Sequence, residues 1–492
     1  MPKDPTTVSE VQAYRFMLRR MESALVRKDA VMVHEPLRAH NKAALVGVIL
    51  GLLGLVAFFV IGRFSPTSKL QGGEIVIGKS SSAIFVVQPQ PLRLIPVLNM
   101  ASARLLLSVL SPGATSAPDA QVVDESVLDS LPHTSTTGIP GAPTRVPATQ
   151  DLIAGPWSVC DSVAASADLP DAQTPQVPTT VAVLGVPQPG RALGPNQALL
   201  VQVPGSGTTY LVRAGQRNRV DLTDPAVRVA YHVDQTRVRP TSADLLNAIP
   251  EGHPLSPPSD IQTDAAVPQL SGRHPGDVVA VDRAEGKELY LLLPQGKQRI
   301  TKAVADLIRA RYDRTNPETP TIALGAIANV PDVPAAYQED FSDYPDVAPN
   351  ILPAATTNIC ANISDPNRAP VITTSQDPQL QLGQGNNPVP VPGAVSGRTA
   401  DNVYVPPGKG ALVRGVVPGQ PPNTGQIWLV TEQGERYAVP SIQVAQILGL
   451  GNVTSPAPEP VLKLLPQGPT LDPQKALRLF NSATANQQQG GG

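Results

Sequence analysis

Twenty consecutive residues, Ala43 to Gly62, carry neither a charge nor a polar side chain, and no other feature of the chain constrains its fold as strongly. At about 1.5 Å rise per residue, a helix of this length reaches roughly 30 Å, the thickness of a bilayer's hydrocarbon core. Leu, Val, Ile and Phe dominate the run, so nearly every residue gains by leaving water. The run reads as one transmembrane helix. A cleaved signal peptide fits poorly, because its apolar core runs about 7–15 residues behind a short basic segment. No small-x-small cleavage site follows Gly62 either. A buried core helix is the other alternative, and twenty residues without one polar side chain are too uniformly apolar for it.

The flanking charges orient the helix. Lys3, Arg15, Arg19, Arg20, Arg27, Lys28, Arg38 and Lys42 precede it, whereas only Arg63, Lys69 and Lys79 come closely after it. The basic excess places the N-terminus in the cytoplasm and the long remainder outside. Both cysteines, Cys160 and Cys360, fall in that external part, where disulfides persist. A bridge between them would close a loop of roughly 200 residues, for which the chain-entropy treatment gives about 5 kcal/mol. Two free buried thiols are the alternative, and two cysteines alone cannot hold a tetrahedral zinc. A net charge of −2 and 16% charged residues argue against nucleic acid as a partner. With 55 prolines and 4% aromatics, short strands joined by Pro-rich turns are expected in an α+β fold.

Ahead of the span, Thr7 and Glu10 have the spacing of a helix capping box. Val11, Tyr14, Leu18, Met21 and Leu25 then recur at helical spacing, with Arg15, Arg19 and Arg20 around them. Some forty residues cannot bury a core alone, so this amphipathic helix needs a membrane surface or a partner protein. His34-Glu35-Pro36 should break it before the span.

Beyond the span one pattern recurs four times. A β-rich run meets a turn, then an aromatic with two aliphatics, then a polar turn with a basic residue, then a helical stretch. It appears as Glu74-Ile-Val-Ile with Phe85-Val-Val and Arg93, and as Ala198-Leu-Leu-Val-Gln-Val with Tyr210-Leu-Val and Arg217. It returns as Asp277-Val-Val-Ala-Val with Tyr290-Leu-Leu and Arg299, and as Ala411-Leu-Val-Arg with Trp428-Leu-Val and Arg436. A hairpin of this size is marginal alone, so each should pack on the helix after it. The pattern places repeat modules at 63–111, 191–260, 261–314 and 401–480. Two non-repeat stretches, 112–190 and 315–400, hold one cysteine each and read as the halves of a central mixed α/β domain. Residues 1–42 are then cytoplasmic, 43–62 span the membrane, and 481–492 read as a disordered tail.

Six motifs carry a resemblance. They are Tyr14-Arg-Phe-Met-Leu-Arg-Arg20, Leu98-Asn-Met-Ala-Ser-Ala-Arg-Leu105, Gly138-Ile-Pro-Gly-Ala-Pro143, Trp157-Ser-Val-Cys-Asp161, Ser396-Gly-Arg-Thr-Ala-Asp-Asn-Val-Tyr404 and Leu464-Leu-Pro-Gln-Gly-Pro-Thr-Leu471. In their order and spacing, over nearly the whole chain, the sequence resembles EccB, the single-span core component of ESX (type VII) secretion systems. The resemblance implies four repeat modules around a disulfide-tied central domain in the periplasm, with Cys160 and Cys360 as the family's cysteine pair. It implies an inner-membrane complex with EccC, its motor ATPase, and with EccD and EccE. It also implies the mycosin protease MycP nearby and self-association of the periplasmic domains. Tyr14, Leu18, Arg19 and Arg20 match the family's cytoplasmic helix, whose expected partners are membrane-complex subunits.

One motif points elsewhere. Gly73-Glu-Ile-Val-Ile-Gly-Lys-Ser80 satisfies the G-x-x-x-x-G-K-[ST] phosphate-loop pattern, with Gly73, Gly78, Lys79 and Ser80 as candidate ATP contacts. A phosphate loop comes after a buried strand and opens a helix whose N-terminus faces the anion. Here Glu74-Ile-Val-Ile is itself strand-like, and Ala83-Ile-Phe-Val-Val87 reads as a second strand. The Walker-B-like run Val278-Val-Ala-Val-Asp282 sits in another repeat. Topology places both outside the cell, so a hairpin turn is the better reading, although members of the family are often labelled ATPases. No catalytic residue is assigned: no nucleophile elbow appears, and His34, His40, His133, His232, His253 and His274 are scattered without metal spacing. A cell-wall-binding module is a further alternative, but it needs exposed aromatic platforms, and the chain has two tryptophans and nine tyrosines.

Overall fold

The computed structural model describes residues 7–28, 36–63, 70–111, 118–163, 177–188, 190–234, 237–259, 261, 263, 267–312, 318–354, 358–377, 380, 382–383, 385–421 and 424–480. His34, Glu35 and the tail 481–492 lie outside these residues. The chain forms two units, Met1–Lys69 and Leu70–Gly492.

In the first unit, helix α1 (Val8–Arg27) opens on the expected capping box, with Thr7 and Glu10 each satisfying the other's backbone amide. It ends at Lys28, in the left-handed region at φ 53°. Helix α2 (Pro36–Arg63) begins on a proline, whose missing N–H costs nothing in a first turn. Its segment Lys42–Val60 is long and apolar enough to cross a membrane and is wholly unburied.

The second unit repeats one plan. In module 1, strands β1 (Ile75–Gly78), β2 (Ile84–Gln88) and β3 (Arg93–Val97) form an antiparallel meander, and helix α3 (Met100–Leu110) comes next. The chain then returns in β4 (Gln121–Val123), parallel to β1, and closes with the short helix α4 (Glu125–Leu128). Residues 118–139, assigned from the sequence to the central domain, thus complete module 1. Strands β5 (Trp157–Ser162), β6 (Thr179–Leu184) and β7 (Arg191–Ala192) enter the central sheet.

Module 2 opens with the meander β8 (Gln197–Gln202), β9 (Thr209–Arg213) and β10 (Gln216–Val220), then helix α5 (Pro225–Tyr231). Its parallel return strand β11 (Val238–Pro240) leads into helix α6 (Ala243–Asn247). Module 3 comprises β12 (Val278–Arg283), β13 (Gly286–Leu293), β14 (Gly296–Ile300), helix α7 (Lys302–Tyr312) and helix α8 (Leu324–Ala328). Its return is a single parallel bridge, Ala280 to Thr321. A two-residue strand, β15 (Asn350–Ile351), then pairs with β8.

The central sheet gains β16 (Asn358–Ile363), β17 (Val371–Ser375), β18 (Val389–Pro390) and β19 (Asn402–Tyr404). Its order is β18-β19-β6-β5-β16-β17-β7, so segments far apart in the chain interleave. Module 4 ends the fold with β20 (Ala411–Val416), β21 (Ile427–Val430), β22 (Arg436–Val439), helix α9 (Ile442–Ile447), the parallel return β23 (Ser455–Pro458) and helices α10 (Glu459–Leu464) and α11 (Pro473–Ala476).

Packing joins the modules in pairs. Modules 1 and 4 share a core in which Leu105 and Leu106 of α3 meet Leu412, Leu429 and Leu448. Modules 2 and 3 share another, with Val227 and Tyr231 of α5 against Val304 and Leu307 of α7. A third core lies on the central sheet. There Val159, Ala182 and Ile359 meet Leu245 and Leu246 of module 2 and Val461 and Leu462 of module 4. The order of contact is therefore module 1, module 4, central sheet, module 2, module 3.

Candidate functional site

The phosphate-loop-like segment folds as a hairpin. Ile75, Val76 and Ile77 pair with Val86, Phe85 and Ile84, and the Gly78 amide donates to Ala83 O at 2.9 Å. The Lys79 amide donates to Val123 O at 3.0 Å, and the Ser81 amide donates to Glu125 Oε1 at 2.8 Å. These are amides that a phosphate loop would aim at an anion, and one of them already holds a carboxylate. The Lys79 ammonium pairs with Asp124 Oδ1 at 3.2 Å. The Ser81 hydroxyl and amide hold the half-buried Glu125 carboxyl below its usual range. The turn leads straight into β2 and does not open a helix, as a phosphate loop would. Asp282 lies on β12, in a different sheet from Lys79.

The predicted partner residues Tyr14, Leu18, Arg19 and Arg20 lie on α1, which buries no residue of its own. Cys160 and Cys360 are directly opposed on β5 and β16, with Cα atoms 4.1 Å apart, and are joined by a disulfide. Both tryptophans are buried in the central core, so neither offers a platform to a glycan.

Beside the disulfide lies a polar junction that the sequence patterns do not reveal. Asp161 is fully buried on β5, and four donors converge on its carboxylate. Thr180 Oγ1 donates to Oδ1 at 3.0 Å and Thr241 Oγ1 to Oδ2 at 2.7 Å. The Ser242 amide donates to Oδ2 and its hydroxyl to Oδ1, both at 2.6 Å. Ser242 is also the N-cap of α6, accepting from the Leu245 amide at 2.9 Å. Arg239, 1% exposed, donates to Asp161 O at 3.4 Å and to Pro240 O at 3.0 Å. Burial pushes the Asp161 carboxyl up, against the pull of Ser242, Thr241 and Arg239. The four donors aimed at its two oxygens favour the ionised form and oppose that rise. Burial brings Arg239 down to about 10, which leaves it charged at neutral pH.

Two further carboxylates tie this junction to the Ser396–Tyr404 motif. Asp244 Oδ1 accepts from the Gly397 amide, and Asp401 Oδ2 from the Thr180 amide, both at 2.8 Å. Gly397 sits at φ 82°, a conformation that favours glycine. Burial pushes Asp244 up to about 6, with the charges of Asp161 and Asp401 adding to the effect. A raised folded-state value means the protein takes up a proton before the unfolded chain does. The cost of the charge is full above pH 6 and is relieved as pH falls toward 4. Asp244→Asn, which keeps the acceptor, should therefore stabilise the protein at pH 7.5 by about 1 kcal/mol after solvent screening. Urea midpoints of variant and wild type should converge by pH 4.

The remaining motifs meet between modules 1 and 4. Asn99 caps α3 through the Ser102 amide, and its side-chain amide donates to Ile139 O, both at 2.9 Å. Arg104 Nη1 donates to Leu448 O at the end of α9. Gly449 leaves room for it, since a Cβ there would lie 2.8 Å from Arg104 Nη1. Leu464, Leu465 and Leu471 are buried.

The fold and this junction define a multi-module scaffold, internally locked by polar and covalent contacts, that comes after one apolar helix. Residues 3–484 match the family model described as type VII secretion system ESX-1, transport TM domain B. The chain belongs to that family. It is 32% identical to the ESX-5 secretion system ATPase EccB5 of Mycobacterium marinum, over 96% of this chain and 93% of the relative. It is 30% identical to the ESX-3 secretion system ATPase EccB3 of Mycolicibacterium smegmatis, over 98% and 92%. Among solved structures, a chain of an intact ESX-5 inner membrane complex superposes with a TM-score of 0.69 at 26% identity, covering 98% of this chain and 97% of that one. A chain of the EccB3 dimer from the ESX-3 core complex superposes at 0.67 and 27% identity, covering 82% and 100%.

Proposed function

We propose that this chain is a structural core component of the inner-membrane ESX secretion machinery, with residues 70–492 forming its periplasmic scaffold. The observation that carries the reading is where the motifs lie. Each of the five beyond the apolar helix builds contacts between modules or strands, and none gathers catalytic groups around a cleft. The basic excess before α2 supports a cytoplasmic N-terminus. In that orientation α1 offers Tyr14, Leu18, Arg19 and Arg20 to the motor-side subunits, the counterparts of EccC, EccD and EccE. The scaffold faces MycP and further copies of itself, in keeping with a relative solved as a dimer. Mild detergent extraction of the tagged chain should bring down an ATPase subunit and additional copies. A lone monomer would sink the reading.

The word ATPase in the relatives' names favours a second reading, nucleotide binding at Gly73, Gly78, Lys79 and Ser80. The Lys79–Asp124 pair and the Ser81–Glu125 bond support a turn instead. Lys79→Ala should leave both secretion and nucleotide binding of the purified complex at wild-type levels. Loss of both would favour the ATPase reading.

A further inference from the structure

Module 1 is the first module in the chain, yet its sheet is finished by the last described residues. In all four modules a parallel bridge lies beside the third strand, formed by His133, Glu251, Asp332 and Gln467 respectively. Among the described residues, only module 1 gains a further strand outside that bridge. The Gly138 amide donates to Arg478 O at 3.2 Å, the Phe480 amide donates to Thr136 O at 2.8 Å, and Thr137 pairs antiparallel with Leu479. Immediately before this strand, α11 inserts Ala476, and the turn ahead of it inserts Leu471, into the core that α3 shares with module 4. Both side chains are fully buried.

The segment they close upon is itself built around α3. The Leu98 amide donates to Thr137 O at 3.2 Å, the Thr137 amide donates to Pro96 O of β3 at 3.0 Å, and the Ile139 amide donates to Ser102 Oγ at 2.9 Å. Gly138 lies at φ 136°, and a Cβ there would meet Ser102 Oγ at 3.0 Å. Residues 136–139 are therefore sandwiched between the N-terminus of α3 and the strand at 478–480. Without residues 471–480, Thr136 O and the Gly138 amide lose their partners, and the α3 face loses two buried side chains.

We propose that residues 471–480 act as a completion clasp. Module 1 closes, and the joint body of modules 1 and 4 becomes rigid, only once residues 471–480 have seated against Thr136–Gly138 and α3. Synthesis runs from the N-terminus, so module 1 emerges first and waits, incomplete, for the rest. The clasp makes completion of the first module depend on delivery of the segment that follows the fourth. Chain order and packing alone carry the clasp, which holds whatever machinery the scaffold serves.

Hydrogen exchange on the full chain in detergent tests it. Ala476→Asp should speed exchange at the Leu98, Ala103 and Gly138 amides at least tenfold, while Val212 and Leu291 in modules 2 and 3 keep wild-type protection. Leu479→Ser is the control, because that side chain is 72% exposed and the strand pairs through its backbone. It should behave as wild type. A chain ending at Thr470 should show the same local loss, and a synthetic peptide of residues 471–480 added in trans should restore protection. Wild-type protection in the shortened chain would overturn the proposal. So would loss of protection spreading through modules 2 and 3, or a saturating peptide that restores nothing.

Discussion

Asp161→Ala should lower the stability of the central core by about 3–5 kcal/mol, the cost of stranding a buried charge by removing its partner. The variant leaves the Arg239 guanidinium, 1% exposed, without the carboxylate beside it. It also strands the Thr180, Thr241 and Ser242 hydroxyls and the Ser242 amide, all buried. Bulk water cannot reach these groups, so added salt should not mask the effect. The chain supplies its own probe, since its two tryptophans, Trp157 and Trp428, both lie in the core on the central sheet. Urea titration of residues 70–492, monitored by tryptophan fluorescence, should show the midpoint falling. Adding Arg239→Met should recover part of the loss, because removing both charges leaves no uncompensated ion. A cost below about 1 kcal/mol for Asp161→Ala would mean that the carboxylate is not what holds α6 to the sheet.

Side-chain chemistry made part of this architecture legible. The apolar run at 43–62 announced α2, because burial in lipid needs every residue apolar. The helix nevertheless starts at Pro36, seven residues earlier than the hydropathy alone indicates, since Arg38, Asn41 and Lys42 continue it without being apolar. The modules were legible through one position of the middle strand, which carries Phe85, Tyr210, Tyr290 or Trp428 in turn. Each aromatic sits on the sheet face away from the long helix, where the second, short helix packs.

The return strands were not legible. Gln121–Val123, Val238–Pro240 and Ser455–Pro458 are short, and they pair through their backbones with strands distant in sequence. Their side chains resemble those of a linker. The junction was hidden for the same reason. Asp161 stands in a recognisable motif, but its donors come from 19 to 81 positions away. Arg239, between Val238 and Pro240, belongs to no periodic pattern. Long-range pairing, which composition cannot encode locally, assembled the part of the molecule that carries the most buried charge.

The same junction bears on what removing the disulfide should do. Replacing both Cys160 and Cys360 by alanine should cost about 2–5 kcal/mol, chiefly through the freedom returned to the unfolded chain. The bond spans 200 positions, so the denatured ensemble it restrains is large. The folded sheet should persist, because β5 keeps its ladders to β6 and β16 along its whole length. Activity in secretion at low temperature should therefore survive, and the loss should appear on heating as a lower midpoint in tryptophan fluorescence. Both cysteines are buried, at 0% and 3% exposure, so a mild reductant should leave the native wild type untouched until it opens. Asp161 sits directly after Cys160, and α6 hangs from Asp161, so slackening β5 loosens module 2 before module 1. Hydrogen exchange at Ser242 and Leu245 should rise in the double variant while Ala103 stays protected. Equal loss at both ends of the molecule would mean that the disulfide tethers the chain without positioning the junction beside it.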